Sequence, residues 1–498
     1  MKTRLFTYIA LLAALIAQVS CSDNDDFSVS PQDYLMFETD SLTLDTCFST
    51  VPTPHKIFKV YNNSGNGIRI SNVTLLQRNQ TGFRVNVNGT YLCEENGFSI
   101  RDLELSSKDS MRVFVELTSM VNGDTLPKLV EDDLVFTLEN GRSQKVNLNA
   151  WSWDAVILDN ETIGSDTITH MRNEHGKPIV VYGTLTIDSL ATLMIMPGTT
   201  VYFHDKAGVN VKGKLKIMGE QDDEVTLRCD RFDWMVSNLS YDNNPGQWGG
   251  IHFNAKSYDN EINYADIHGG TAAIICDSAS DDTRQKLSIK NTTIHNMRSY
   301  GLYARDCNIS IENTQISNTL ENCLTILGGK VELNQCTIAQ YYPFNANRGN
   351  ALFFTNGING VSHPLDLKIH NSLIKGYADD VVSWSHGGTE DSLKVLFDHC
   401  LVRTVPGRDY EYMFKDCIIE DDANDTLTSP RNSFVLFDTQ NFFYDFTPKE
   451  GSKAIGAANP ETALPIDRKG RKRSDTNPNI GCFETDNDSE ELKDEQDN

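Results

Sequence analysis

The sequence predicts an all-β chain in two parts, a β-sandwich over residues 31–155 and then a stack of parallel coils over 160–484. Two observations carry this. Short runs with a period of two, such as Met111-Arg112-Val113-Phe114-Val115-Glu116-Leu117, recur through the first part with no helical periodicity, so one face of each turns inward. From about residue 160 a six-residue pattern repeats: apolar, any, Asn-like, small, any, Ile or Val. With 498 residues, 39% of them hydrophobic, the chain is long enough for two or three domains, each burying a core.

The chain opens with Lys2 and Arg4, then the apolar run Leu5–Ala17, too short to span a bilayer comfortably and followed at once by small residues. It reads as a signal peptide over 1–20. Its end, Gln18-Val19-Ser20-Cys21, resembles a bacterial lipobox, with Gln18 where the family carries Leu. That resemblance implies lipidation of Cys21, and two acyl chains on one residue hold a protein firmly to a membrane. Residues 21–30 form an acidic tether. Within it, Ser22-Asp23-Asn24-Asp25-Asp26 resembles the export signal of outer-membrane surface lipoproteins of the Bacteroidota type. Asp-(Ser/Thr)-hydrophobic triplets, among them Asp40-Ser41-Leu42, Asp188-Ser189-Leu190 and Asp425-Thr426-Leu427, resemble the O-glycosylation acceptors of the same bacteria. The expected location is the outer membrane, lipid-anchored and surface-exposed. The formal net charge of −25 argues against nucleic acid as a partner, because so acidic a surface repels phosphates.

In the first part, His55–Tyr61 is expected to turn Ile57 and Val60 inward. A turn cluster at Asn62–Gly67 leads into a strand over Ile68–Leu75, and Phe83–Gly89 alternates again. The Val-x-Asn-x-Ser-Gly element resembles the small immunoglobulin-like domains that precede larger modules in bacterial surface proteins, where they serve as spacers.

In the second part the pattern appears as Ile289-Lys290-Asn291-Thr292-Thr293-Ile294 and Ile311-Glu312-Asn313-Thr314-Gln315-Ile316. It returns at Leu333–Ile338, Ile369–Ile374, Phe397–Val402 and Phe414–Ile419, with an earlier variant at Ile262–Ile267. The first three strong copies are 22 residues apart, one coil, so equivalent residues stack as ladders. The apolar positions form the core, and the Asn-like position suits a left-handed bend between strands. Short strands punctuated by Gly and Pro-Gly before the repeat, together with the repeat itself, resemble right-handed parallel β-helix proteins of the pectin-lyase-like kind. Loops are expected to leave the stack at Tyr341–Val361 and Tyr377–Ser392. The segments around Ala454–Ala457, Pro465–Arg471 and Pro478–Glu484 resemble the closing segment of such proteins, expected to cap the exposed edge of the last coil. The acidic residues 485–498 are expected to be disordered. Of eleven cysteines, Cys336, Cys400 and Cys417 fall at the small position of the repeat, so most of the remaining ten are expected to be unpaired.

Parallel β-helices include polysaccharide lyases and glycosidases, so catalysis is tested at the site rather than from the fold. Asp379 and Asp380 followed by His386 resemble the polygalacturonase family, but that family's Asn-x-Asp and Arg-x-Lys are not recognisable. Asp398-His399 is a weaker pair, with His399 at the bend position. No metal motif or cofactor motif is present. The expected function is therefore a non-catalytic surface scaffold that binds glycan or another envelope protein, with a diverged lyase or glycosidase as the alternative. Trp384, Tyr341 and Tyr342 are the binding candidates, since aromatic faces stack on sugars.

Overall fold

The structure, a computed structural model, describes residues 27–387, 392–405 and 407–485. Cys21, most of the acidic tether and all but the first residue of the acidic tail lie outside them. Among the described residues no helix is long and apolar enough to cross a membrane. The chain divides into two compact units at Asp154/Ala155.

The first unit is two five-stranded sheets. Their strands pair antiparallel, apart from the parallel pairing of Ser41–Phe48 with Ser143–Trp153. The period-two strands behave as expected. Met111, Val113, Val115 and Leu117 all point into a core shared with Val73, Phe136 and Val146 of the other sheet. One register differs from the expectation. Phe58 and Val60 face that core while Ile57 is about half exposed, because inward residues must share one parity along a strand.

The second unit is a parallel β-solenoid, with one sheet of eleven strands and one of seventeen. The repeat builds its two core ladders. Ile262, Ile289, Ile311, Leu333, Ile369 and Phe397 pair in succession on one sheet. Ile267, Ile294, Ile316, Ile338, Ile374 and Val402 do so on the other, and all twelve are buried. Between the ladders the bend residues Tyr264, Asn291, Asn313, Gln335, Asn371, His399 and Asp416 all adopt φ between +45° and +54°. The next residue closes the bend: the hydroxyls of Thr292, Thr314 and Ser372 and the thiols of Cys336, Cys400 and Cys417 donate to the carbonyl two residues back. Cysteine therefore replaces serine or threonine here as a small donor, and the ten described cysteines are all unpaired.

Two expectations need correction. The stretches read as loop excursions contain coil strands, Leu352–Thr355 and Val382–Ser385, paired in the seventeen-stranded sheet. Consecutive large side chains such as Phe353-Phe354 hide the alternation there. The closing segment also does not sit on the end of the stack. It runs along the bend ladder, its backbone amides and carbonyls meeting Asn313, Asn334, Gln335 and Asn371. Arg468 reaches back to form a two-pronged ion pair with Glu224 at 2.7 and 2.8 Å.

Candidate functional site

Three neighbouring strands of the eleven-stranded sheet, Ala265–His268, Thr293–Met297 and Gln315–Thr319, set the floor of a cleft. Since Ile267, Ile294 and Ile316 point inward, the residues on either side point outward in register. Asp266 lies beside Thr293 and Gln315, and His268 beside His295 and Ser317. The hairpin of Phe434–Asp438 and Phe443–Pro448 supplies one wall. Arg468 and Lys469 of the closing segment supply another. The cavity is about 440 Å³.

Beneath the lining residues Asp266 and His295, a buried imidazole is clamped by two carboxylates. His268 Nδ1 lies 2.6 Å from Asp266 Oδ1 and its Nε2 lies 2.8 Å from Asp242 Oδ1. The His295 Nε2 is 3.2 Å from the same Asp266 oxygen, and the two imidazole rings stack with centroids 4.8 Å apart. Asp242 is itself paired with Arg228 at 2.9 Å. Burial works against a charged His268, but the Asp266 charge and the hydrogen bonds to both carboxylates outweigh it, raising its pKa to about 9. Burial likewise works to raise Asp266 and Asp242, yet the facing imidazoles win and hold Asp242 below, and Asp266 well below, the usual carboxylate range. On the wall, Lys469 Nζ meets Asp445 at 3.0 Å. Phe443 is exposed, and Phe442 holds φ +61°, a strained conformation for a bulky residue.

The sequence candidates do not assemble into this cleft. The Asp379 Oδ1 accepts from the Ala423 amide at 2.6 Å, and the Asp380 Oδ1 accepts from the Val382 amide and the Thr404 hydroxyl, so both organise local turns. His386 is exposed. Tyr341 and Tyr342 are buried rather than presented, Tyr341 packing on Phe434, Phe437 and Phe446. Trp384 is half-buried between Phe354, stacked at 5.8 Å, and Tyr410. Their ring faces meet protein, because these residues sit on coil strands and beneath the C-terminal hairpin rather than on free loops. Asp242, Asp266, His268 and His295 escaped notice as separate residues. The repeat could have found the two histidines: His268 and His295 each follow the second ladder Ile, which places them one above the other, whereas Asp242 lies in a turn outside the repeat.

The described residues thus define a two-part all-β protein whose second part is a parallel β-solenoid with a charged cleft on its flank. No family model matches the chain, and no curated protein matches it. Among solved structures it is similar to the pectate lyase Pel9A at 12% identity, covering 67% of this chain and 88% of that one with a TM-score of 0.29. It is also similar to the catalytic domain of a GH87 α-1,3-glucanase at 10% identity, covering 69% and 82% with a TM-score of 0.25. A third likeness, to Dex49A from Penicillium minioluteum, is 8% identical over 75% of this chain and 74% of that chain, with a TM-score of 0.21. Likenesses of this degree carry no argument about activity; the solenoid rests on its own strand pairing.

Proposed function

We propose that the protein is a lipid-anchored surface lipoprotein that binds extracellular glycan in the flank cleft, its N-terminal sandwich acting as an immunoglobulin-like spacer and its solenoid coiling right-handed. The observation that carries the binding role is the pairing, in one open cavity, of the exposed Phe443 ring with the carboxylate of Asp266 and the amide side chain of Asn318. A sugar ring presents an apolar C–H face for stacking and hydroxyls that donate to such acceptors. Calorimetric titration against a panel of extracellular oligosaccharides tests it. Phe443→Ala and Asp266→Asn should each weaken capture by about 1–2 kcal/mol, Phe443→Ala with no change in the melting curve. A panel without a binder, or variants that bind as well as the parent, would count against it.

A second reading, glycan cleavage, is favoured by the ionised Asp266 beside His295, a pairing suited to a general base. Glycoside hydrolysis also needs a carboxylic acid whose pKa is raised. Of the carboxylates that line the cleft, Asp266 and Asp445 have shifted ionisation and both are lowered, so binding stands as the leading reading. New reducing ends or unsaturated uronates that disappear in Asp266→Asn would reverse that order.

A further inference from the structure

Asp266, His268 and His295 each offer one donor atom, and these atoms lie within 4.8 Å of one another. We propose that the three side chains form a site for a divalent transition metal, zinc by ligand chemistry, whose open coordination position faces the cleft. Two imidazoles and one carboxylate are a donor set that zinc accepts, and three protein ligands leave a fourth place for water or a ligand. The Asp266 oxygen is 3.2 Å from His295 Nε2, close to the edge of about 3.3 Å in a tetrahedron with bonds near 2.0 Å. Its 2.6 Å to His268 Nδ1 is a hydrogen-bond distance that must open by about 0.7 Å when the ion enters. The ion takes the place of the protons that now bridge these atoms.

Two further features belong to a built site rather than to a chance cluster. The far nitrogen of His268 meets Asp242 at 2.8 Å, and Asp242 is in turn paired with Arg228. A carboxylate behind a ligating histidine fixes the ring and strengthens it as a donor. The side chains of Asn296 and Asn318, 3% and 1% exposed, line the same cleft with amide oxygens that have no hydrogen-bond partner. A buried acceptor without a donor costs stability, and two of them a coil apart point to donors on water or ligand held in the cleft that the site faces. By contrast, the cluster of Asp398, His399 and Asp416 has Lys415 within 3.4 Å of its central carboxylate, which already neutralises it. The inference does not depend on the cleft taking a sugar, since its readout is the metal.

The test strips the full chain, purified in detergent, with a chelator and then dialyses it against buffered zinc. Elemental analysis should find a single zinc per chain, lost in Asp266→Asn and His295→Gln while circular dichroism shows both variants still folded. Asp242→Asn, which leaves the ligands in place, should weaken zinc about 10- to 100-fold. Cobalt added to the unaltered protein gives a readout that needs no variant: visible bands of a four- or five-coordinate ion support the site. A spectrum that stays that of the aqueous ion, or equal zinc in the parent and Asp266→Asn, would overturn it.

Discussion

Each bend of the solenoid admits few residues because its φ is positive. Asn291, Asn313 and Asn371 fit since a short amide tolerates the left-handed region and bonds across coils, as Asn313 does to Asn291 at 3.2 Å. Tyr264 and His399 occupy the same conformation, so the bend is imposed by the stack and only favoured by the residue. Elsewhere single residues bear charge in the interior. Lys375, on the outer face of the eleven-stranded sheet, is covered by the segment around Thr428–Ser433 and shares Glu420 with Arg403, each at 2.8 Å. Burial lowers its pKa from 10.5 to about 8 against the pull of Glu420. Below about pH 8 both the folded and unfolded chains hold this proton, and the cost of burying the ammonium is present in full. Between about 8 and 10.5 only the unfolded chain holds it, so this group's contribution to stability rises with pH. Urea unfolding across that window should show a gain of roughly 2–4 kcal/mol relative to Lys375→Met. Parallel pH profiles for the two proteins would refute the assignment.

At the scale of the element, the ladders hold the coils together. Ile316 is fully buried between Ile294 and Ile338, whereas Glu312 on the neighbouring sheet points outward and pairs with Lys290 at 2.9 Å. Ile316→Asp should destabilise by about 4 kcal/mol or more, and Glu312→Lys by no more than about 1 kcal/mol. Similar urea midpoints for the two variants would mean that the register is wrong. The closing segment is held by Arg473, which donates to Asn313 Oδ1 at 3.0 Å and to the Gly481 carbonyl at 3.1 Å, and lies 3.5 Å from Glu484. Both charged side chains are almost wholly buried. Arg473→Ala leaves Glu484 uncompensated and should cost about 3–5 kcal/mol, with Arg473→Met/Glu484→Gln recovering part of it. Limited proteolysis should then cut within residues 454–484 in the single variant before it cuts the parent; identical digestion patterns would show that this contact does not latch the segment.

For the whole molecule, the acidic surface and the proposed anchor set where it acts. A net charge of −25 gives anionic lipid no reason to attract it, so membrane attachment falls to the two acyl chains expected on Cys21. Cell fractionation should find Cys21→Ala in the soluble fraction and the parent with the membranes, and protease added to intact cells should reach the parent. Retention of the variant in the membrane would remove the lipidation claim. Full protection in intact cells would remove the surface claim.

The period-two strands, the two Ile ladders and the bend positions were legible in the sequence because each is a local pattern repeated at fixed spacing, and stacking preserves such spacing. Even there Ile57 was misassigned, since inward parity is set by the partner sheet and not by one strand's hydrophobicity. The path of residues 454–484 was not legible: Arg468 meets Glu224 across 244 residues, and no local pattern encodes a contact that distant. The same holds for Tyr341, whose ring is buried by a hairpin about a hundred residues later. The cleft lies between these cases. Its histidines stand at equivalent repeat positions, which the sequence determines. Asp242 reaches His268 from the turn Tyr241–Asn243, 26 residues earlier in the chain. What placed Arg468 and Phe443 above the site was the tertiary return of the C-terminal chain onto the flank, because groups far apart in sequence meet only when the fold brings their backbones together.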